Sequence, residues 1–276
     1  MFIRTLDELE RLGRIRYPLH NDTFRSARFL TATDRVGFSY NENRVRKGVD
    51  ATIWLKHHWE ANYIISGKGE VSDLTNGHKW LLEAGVLYIV GPNDRHRLLI
   101  TEDSHYVSIF CPPLKGDERF DSEGGYEASG PIEPTERRMF VKSADRMRRA
   151  GQEIALGDGH ARTIRMLTKT DDIGFGFSDV HLDAGGEAVL WYKHHWEANH
   201  VISGRGEVTD LASGETWRLE QSMSYTVGPK DRHRLRASTD LHLLSIFCPP
   251  LTGSERHDAD GALAASGPVP LGPPDH

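Results

Sequence analysis

Cysteine is scarce in this sequence, which holds only Cys111 and Cys248 among 276 residues. So few cysteines exclude a small secreted domain that depends on several disulfides for its stability. They also exclude a structural zinc site built from paired Cys-x-x-Cys motifs. We therefore expect free thiols in a reducing compartment, which predicts a cytoplasmic protein.

Long hydrophobic runs and an excess of positive charge are lacking too. No apolar run approaches the roughly 18 residues that a membrane-spanning helix needs. The start of the chain is unlike a signal peptide, because Asp7 and Glu8 interrupt it with acidic charge. The 34 basic residues are outnumbered by 40 acidic ones, giving a net charge of −6. We therefore expect neither nucleic acid nor a membrane as a partner.

The dominant feature that is present is a long internal repeat. Displaced by 137 positions, the sequence matches itself: Lys56–Asn62 returns unchanged at Lys193–Asn199, and Asp94–Leu98 returns at Asp231–Leu235. All six tryptophans follow the same displacement. A period this long corresponds to a whole domain, large enough to bury its own core. The sequence therefore predicts a duplicated, fused gene with domains at residues 1–137 and 138–276.

Within each repeat the hydrophobic pattern is that of a β protein. The amphipathic segment Leu6–Leu12 predicts a short helix ended by Gly13. After it, short runs rich in Val, Ile, Tyr, Phe and Trp are separated by Gly, Pro, Asn or Asp at intervals of about 8 to 12 residues. Regular short strands of this kind are typical of a β-sandwich or β-barrel, so we expect an all-β fold.

A glutamate, a tyrosine and a histidine retained in both repeats could bind a metal. They are Glu60, Tyr88 and His96, and again Glu197, Tyr225 and His233. The tyrosine and the histidine lie symmetrically about a turn at Pro92, so a hairpin there would make them cross-strand neighbours. Carboxylate, phenolate and imidazole ligands suit a divalent transition ion such as iron, with zinc or manganese as alternatives. The competing interpretation is a polar network within the core, which any one of these residues alone would favour.

Longer phrases of the sequence resemble a known family. They are Val36–Tyr40, Trp191–Glu197, Gly204–Val208, Asp231–His233 and Phe247–Gly261. With the spacing from Glu60 to Gly67, they resemble the ectoine synthase branch of the cupin superfamily over nearly all of each repeat. The resemblance implies two tandem cupin domains, each a jelly-roll β-barrel with a short N-terminal helix. Because family members pair as homodimers of single-domain chains, it also implies an internal pseudo-dimer, and a homodimer of the fused chain is a further option.

The resemblance also implies a reaction. In the family, a metal on the Glu, Tyr and His ligands polarises the amide carbonyl of N-γ-acetyl-2,4-diaminobutyrate, whose own amine closes a cyclic amidine with loss of water. This predicts a carbon–oxygen lyase acting on an amino-acid-derived small molecule. The residues expected to handle protons are Glu255, His257, Tyr192 and His195. Those expected to bind the substrate or to line the barrel wall are Arg165, Arg28, His58, Trp191 and Phe247.

The two repeats differ within this implied pocket. Tyr192 and His257 of the second repeat are Leu55 and Phe120 in the first, so we expect the reaction mainly at the C-terminal site. Both repeats also depart from the family pattern, at the threonine position (Asn43, Val180) and at the tryptophan position (Phe24, Ala161), which leaves the exact substrate open. Two other functions remain: an iron-dependent cupin oxygenase or isomerase acting on another small molecule, and a bicupin that binds a small ligand without catalysis.

Overall fold

Strands make up nearly all of the regular structure. The computed structural model describes residues 1–19, 22–157 and 159–274. Its helices in those ranges are α1 (Leu6–Arg11) and α2 (Ala144–Arg149), each of six residues, besides two 3-10 turns at Ala32–Asp34 and Lys169–Asp171. The first confirms the helix predicted at the start of the chain, and the second is its counterpart in the second repeat. Neither helix has the length or the apolar character to cross a membrane.

Twenty strands account for the other regular elements of the described ranges. They are β1 (Phe2–Arg4), β2 (Ile15–Arg16), β3 (Phe24–Leu30), β4 (Ser39–Val45), β5 (Asp50–Ile53), β6 (Trp59–Asp73), β7 (Lys79–Leu82), β8 (Val86–Val90), β9 (His96–Cys111), β10 (Phe140–Ser143), β11 (Ile154–Leu156), β12 (Ala161–Leu167), β13 (Gly176–Leu182), β14 (Glu187–Leu190), β15 (Trp196–Ser203), β16 (Gly206–Asp210), β17 (Thr216–Leu219), β18 (Ser224–Val227), β19 (His233–Ala237) and β20 (Leu241–Cys248).

These elements form two compact units that exchange a strand between the repeats. The first barrel comprises Leu9–Asp34 and Phe38–Arg146, and the second barrel comprises Met1–Glu8, Arg35–Gly37 and Met147–His276. In the first barrel β10, from the second repeat, pairs with β8. In the second barrel β1, from the first repeat, pairs with β18. The division of the chain at residues 137 and 138 stays a prediction from the sequence period.

The first barrel is built on one nine-stranded antiparallel sheet. Its strand order is β10-β8-β6-β9-β4-β3-β2, with β5 paired to β9 and β7 paired to β6. The strands β6 and β9 are long because both continue through a corner, where their register shifts between Ile64 and Gly69. Gly67 occupies this corner with a φ of 94°, and a Cβ atom there would collide with the backbone of Asp103.

The strands of the second barrel form two antiparallel sheets. One has the order β1-β18-β15-β20-β13-β12-β11, and the other has the order β14-β19-β16-β17. The core lies between them, because Val201 and Leu243 of the larger sheet belong to the same buried cluster as Val208 and Leu235 of the smaller. Successive side chains of a strand point to opposite faces, so alternate residues of each strand face this interior. That inner face carries the candidate site.

Candidate active site in the second barrel

Three strands of the second barrel carry the predicted metal ligands. Glu197 is the second residue of β15, Tyr225 the second of β18, and His233 the first of β19. Because Asn199 is directly opposite Tyr225 in the β15–β18 register, Glu197 is a diagonal neighbour of that tyrosine. The ring centroids of Tyr225 and His233 lie 6.1 Å apart. The structure therefore brings the three side chains together.

The tyrosine and the histidine are not joined by a hairpin, so that prediction is wrong. Their strands belong to different sheets: β18 to the seven-stranded sheet and β19 to the four-stranded one. The turn between them carries the chain across, and it is held by a hydrogen bond from the Gly228 N–H to Asp231 Oδ2 at 2.7 Å. Tyr225 and His233 therefore approach each other across the interior between the sheets, not along a strand ladder.

Glu197 is a buried carboxyl with capacity to bind a cation. Burial raises the pKa of Glu197 to about 7, although hydrogen bonds from Asn199 and Ser245 act in the opposite direction. Its Oε2 atom has no hydrogen-bond partner among the described residues. A buried carboxylate is normally paired with a positive charge or bound to a metal ion. The unpartnered Oε2 atom of Glu197 therefore fits the role of a metal ligand.

His233 is oriented for the same role. Its Nδ1 lies 3.1 Å from the carbonyl oxygen of Asp231, to which a neutral imidazole donates. This contact leaves the lone pair on Nε2, and Nε2 is buried without a partner among the residues that the structure describes. Burial also lowers the pKa of His233, which favours the neutral ring. A histidine held by one nitrogen and open at the other is the arrangement expected of a metal ligand.

Tyr192 and His257 form a hydrogen-bonded pair beside these ligands. The Tyr192 hydroxyl is 3.2 Å from His257 Nε2. Burial raises the pKa of Tyr192 well above its ordinary value, and the charge of Glu197 adds to the effect. Burial lowers the pKa of His257, and Arg165 lowers it further. Near neutral pH the pair therefore consists of a protonated phenol and a neutral imidazole, in which the imidazole is the group able to accept a proton.

The turn before β15 explains how Tyr192 reaches this side. Strand alternation alone would place it opposite Glu197, but β14 ends at Leu190 and β15 begins only at Trp196. Tyr192 lies in the irregular segment between them, where alternation does not apply. Its ring centroid is 6.1 Å from that of His233.

Arg165 and Glu255 form a buried ion pair. Arg165 donates to Glu255 Oε2 at 3.2 Å and to the Glu255 carbonyl oxygen at 2.9 Å. Burial acts to raise the pKa of Glu255, but hydrogen bonds from Thr252 and Gly253 outweigh it and hold the pKa below its usual range. A carboxylate with a low pKa is a poor proton donor near neutral pH. Glu255 is therefore better suited to orienting Arg165 than to protonating a leaving group.

Four predicted residues of the second barrel, namely Trp191, His195, His233 and Glu255, are not part of the cavity wall. The Trp191 indole donates to the Pro229 carbonyl oxygen at 2.8 Å and stacks under the Lys193 ammonium. His195 is fully buried, with its Nε2 3.1 Å from Ser266 Oγ, and burial lowers its pKa to about 4. Its ring packs edge-on against Phe247, which does line the cavity. We therefore regard His195 as a support for that wall.

A cavity of about 340 Å³ lies beside the candidate metal ligands Glu197 and Tyr225. This volume lies in the range of small-molecule pockets, about 300–1,000 Å³. Its walls include six of the predicted site residues, namely Arg165, Tyr192, Glu197, Tyr225, Phe247 and His257. Much of the remaining wall is aliphatic, with Val180, Leu182, Leu235 and Leu243 among its members. The second barrel therefore has space for a small organic molecule beside the candidate metal ligands.

The first barrel keeps the metal-ligand set. Asn62 is opposite Tyr88 in the β6–β8 register, which makes Glu60 the diagonal neighbour of that tyrosine. The centroids of Tyr88 and His96 lie 6.4 Å apart. Burial raises the pKa of Glu60 to about 7. His96 Nδ1 lies 3.1 Å from the Asp94 carbonyl oxygen, and its Nε2 has no partner within the described part of the chain.

Aromatic side chains fill the space beside this first set. The cavity there is only about 10 Å³, roughly the room for one water molecule. Phe120 and Tyr126 stack with ring centroids 4.7 Å apart, and Phe24 meets Phe120 edge-on at 6.5 Å. The guanidinium of Arg28 is fully buried over the Tyr126 ring. His58 lies apart from this small cavity, with its Nε2 2.9 Å from Ser129 Oγ.

Two residues that close the first barrel were missed by the sequence analysis. Tyr106 and Tyr126 line the small cavity, and their counterparts in the second repeat are Leu243 and Leu263. The repeat itself carried the signal, because an aromatic side chain stands in one copy where an aliphatic one stands in the other. The two repeats were compared in sequence only at the implied pocket positions, such as Phe24 and Phe120. That comparison did not include Tyr106 and Tyr126.

A second group of potential metal ligands lies elsewhere in the second barrel. The ligand atoms of Asp179, His181 and His242 are all within 4.8 Å of one another. His181 and His242 are opposite each other in the β13–β20 register, and each Nε2 lies within 3.1 Å of Asp179 Oδ1. The first repeat has Glu42, Arg44 and His105 at the equivalent places. Arg44 of the first repeat stands where the second repeat has His181. Because an arginine is not a metal ligand, this replacement indicates that the position serves an ion pair in both repeats.

Comparison with known proteins identifies the family. The sequence model described as "Ectoine synthase" matches residues 1–130 and again residues 139–266, which together make up most of the chain. The chain belongs to the ectoine synthase family. The predicted resemblance is therefore confirmed, and both repeats carry it.

Named members of the ectoine synthase family match one repeat at a time. The L-ectoine synthase of Shouchella clausii (strain KSM-K16) is 41% identical over 122 residues, covering 44% of this chain and 89% of its own. The L-ectoine synthase of Desulfosudis oleivorans (strain DSM 6200 / JCM 39069 / Hxd3) is 38% identical over 125 residues, covering 45% of this chain and 95% of its own. These relatives support an enzyme of the ectoine synthase kind.

Solved structures confirm the predicted fold of this ectoine synthase relative. The Lactobacillus farciminis oxalate decarboxylase formate complex superposes with a TM-score of 0.65 at 12% identity, over 91% of this chain and 87% of that chain. A putative glyoxylate-induced protein from Pseudomonas aeruginosa gives a TM-score of 0.65 at 11% identity, over 88% and 87%. At such identities the likeness shows the fold alone, which is all-β with two tandem cupin domains. The unpartnered buried oxygen of Glu197 and nitrogen of His233 support a divalent metal.

Proposed function

We propose that the second barrel is a metal-dependent cyclodehydratase. It closes N-γ-acetyl-2,4-diaminobutyrate, or a related N-acylated diamino acid, into a cyclic amidine with loss of one water. The observation that carries this proposal is the open cavity of about 340 Å³ lined by Glu197, Tyr225, Tyr192, His257 and Arg165. Membership of the ectoine synthase family supports the reaction class.

The metal would be held by Glu197, Tyr225 and His233. Two orphaned buried atoms, Glu197 Oε2 and His233 Nε2, fit this role, as does the mixed oxygen and nitrogen donor set. Fe(II) is the ion that we favour, with zinc and manganese as alternatives. When bound, the ion supplies Lewis-acid polarisation of the substrate's amide carbonyl.

The chain's own residues supply positioning and proton transfer. Arg165, oriented by Glu255, uses its remaining N–H donors to bind the substrate carboxylate. Holding the substrate's amine near its own amide carbon makes the ring closure intramolecular, a gain of about 7–11 kcal/mol in the barrier. The amine forms the new C–N bond, the C–O bond breaks, and both protons of the departing water come from nitrogen. We propose that the hydrogen-bonded pair Tyr192 and His257 transfers these protons.

Aromatic side chains form part of the cavity wall. Phe247 lines the cavity, and Tyr192 packs edge-on against it with ring centroids 5.5 Å apart. Such aromatic walls would limit the access of water to the reacting groups.

The direct test is turnover by iron-loaded protein. Mass spectrometry of a reaction with N-γ-acetyl-2,4-diaminobutyrate should reveal a product lighter by one water. Glu197→Ala should abolish the reaction, whereas Glu60→Ala, the same change in the closed first barrel, should leave it. Loss of turnover in Glu60→Ala with retention in Glu197→Ala would reverse the assignment of the barrels. Oxygen consumption without dehydration would point instead to a cupin oxygenase, and saturable binding without any turnover would point to a ligand-binding bicupin.

Compartment and assembly stay predictions. Cys111 and Cys248 form no disulfide among the described residues, which supports a reducing compartment such as the cytoplasm. An internal pseudo-dimer, with or without a homodimer of the fused chain, is our expectation for assembly. Light scattering at known protein concentration measures the mass of the assembly directly.

A further inference from the structure

One row of the second barrel's inner face is polar throughout. The cross-strand registers place five residues directly opposite one another on five adjacent strands. This polar row consists of Arg165, Ser178, Ser245, Asn199 and Tyr225. It contains or adjoins the groups proposed to hold the metal and the substrate carboxylate. All five residues line the cavity.

The next two rows of the same face are mostly aliphatic. The first consists of Thr163, Val180, Leu243 and Val201, and the second of Ala161, Leu182 and Leu241. We call them the apolar rows. Successive rows on one face are separated by two residues along the strand, which is about 7 Å. The cavity reaches both apolar rows, since Val180 and Leu243 of the first and Ala161 and Leu182 of the second line it.

The equivalent rows of the first barrel differ from the apolar rows of the second. Its polar row is almost the same, with Arg28, Asn41, Ser108, Asn62 and Tyr88 opposite one another. Its second row instead contains Ser26, Asn43 and Tyr106, and Phe24 stands where the second barrel has Ala161. The polar end of the site is thus common to both barrels. Beyond the polar row, the first barrel is filled by side chains that are partly polar. The second barrel has an open space there with mostly aliphatic walls.

We propose that the second barrel takes a diamino acid whose N-acyl chain is longer than acetyl. The polar row holds the diamino acid and the reacting amide, and the acyl chain lies over the apolar rows. Water in this aliphatic space would find few hydrogen-bond partners, so alkyl groups that displace it stabilise the bound state. This inference rests on the proposed function and narrows its substrate.

The test is a substrate series that differs only in acyl length. We would measure kcat/KM of the iron-loaded protein with the N-γ-acetyl, N-γ-propionyl and N-γ-butyryl derivatives of 2,4-diaminobutyrate. Each added methylene should raise kcat/KM about fourfold, so butyryl should exceed acetyl about 15-fold. Ala161→Phe places in the cavity the ring that Phe24 has in the first barrel, and the butyryl-to-acetyl ratio should fall to about one. Phe24→Ala is the reciprocal control in the first barrel, and it should leave the ratio unchanged.

Each result has a defined meaning. A kcat/KM that is highest for acetyl and falls with length overturns the inference and leaves the cyclodehydratase proposal standing. A ratio that is insensitive to Ala161→Phe also overturns it. Absence of product from all three compounds defeats the proposed function. Calorimetric titration with the same compounds then decides the acyl preference, because only affinity that rises with chain length supports it.

Discussion

Phe24 and Ala161 occupy equivalent positions in the two repeats, and exchanging their residue types should have very different effects on stability. The difference arises because side chains fill the interior of the first barrel, whereas the second barrel has a cavity. Phe24 is buried, and its ring meets Tyr106 and Phe120 edge-on at centroid distances of 6.2 and 6.5 Å. Phe24→Ala removes that ring from a tightly packed wall, so the free energy of unfolding should fall by about 3–5 kcal/mol. Ala161→Phe adds the same atoms to the wall of a cavity of about 340 Å³, where they need not displace neighbours. Its cost should stay below about 1 kcal/mol.

Urea unfolding followed by circular dichroism measures both changes. A chain with two compact units need not unfold in one step, so each transition should be fitted separately. In Phe24→Ala one transition should move to lower urea, because the first barrel is the one weakened, and in Ala161→Phe the transitions should stay near those of the parent. The reasoning fails if the two variants lose equal stability, or if Ala161→Phe is the more damaging change.

Four further predictions concern the second barrel. Metal analysis of Glu197→Ala should find about one ion fewer per chain than the parent, because the proposed site loses its carboxylate. Tyr192→Phe should lower kcat by about 10²–10⁴-fold with little change in the bound metal, which stopped-flow kinetics and metal analysis together can verify. Arg165→Ala should cost about 3–5 kcal/mol in urea unfolding, because Glu255 is left buried without its cation. Since the folded pKa of Glu255 is lowered, its ionised form stabilises the protein near pH 7. That contribution is lost as the pH falls from the ordinary glutamate pKa through the lowered folded pKa, and Glu255→Gln should flatten this acid-side loss.

The strand pattern and the ligand set could be read from the sequence because both depend on local or repeated features. Alternating β-branched and aromatic residues determine strands through side-chain burial on one face. The repeat then showed which histidines recur, and it separated His96 and His233 from those present in only one copy. The structure brings each of these histidines close to the expected tyrosine.

The pairing of strands could not be read in the same way. A turn such as Gly228–Asp231 has the same local chemistry whether it closes a hairpin or carries the chain to another sheet. The choice depends on long-range packing, which the sequence does not display locally. The role of Glu255 depended on three-dimensional contacts as well, since the hydrogen bonds that lower its pKa come from Thr252 and Gly253 at a bend. The filling of the first barrel required side chains from several strands to be seen at once.

The exchange of β1 and β10 has a consequence for how this gene can change. The strand beside Tyr225 in the second barrel is encoded at the beginning of the first repeat, where Ile3 is opposite that tyrosine. The strand beside Tyr88 is encoded in the second repeat, where Val141 is opposite it. A deletion that removed the first repeat would therefore also take a structural part of the open barrel. Natural selection acting on the second barrel alone would therefore oppose such a deletion, even if the first barrel contributes no chemistry of its own.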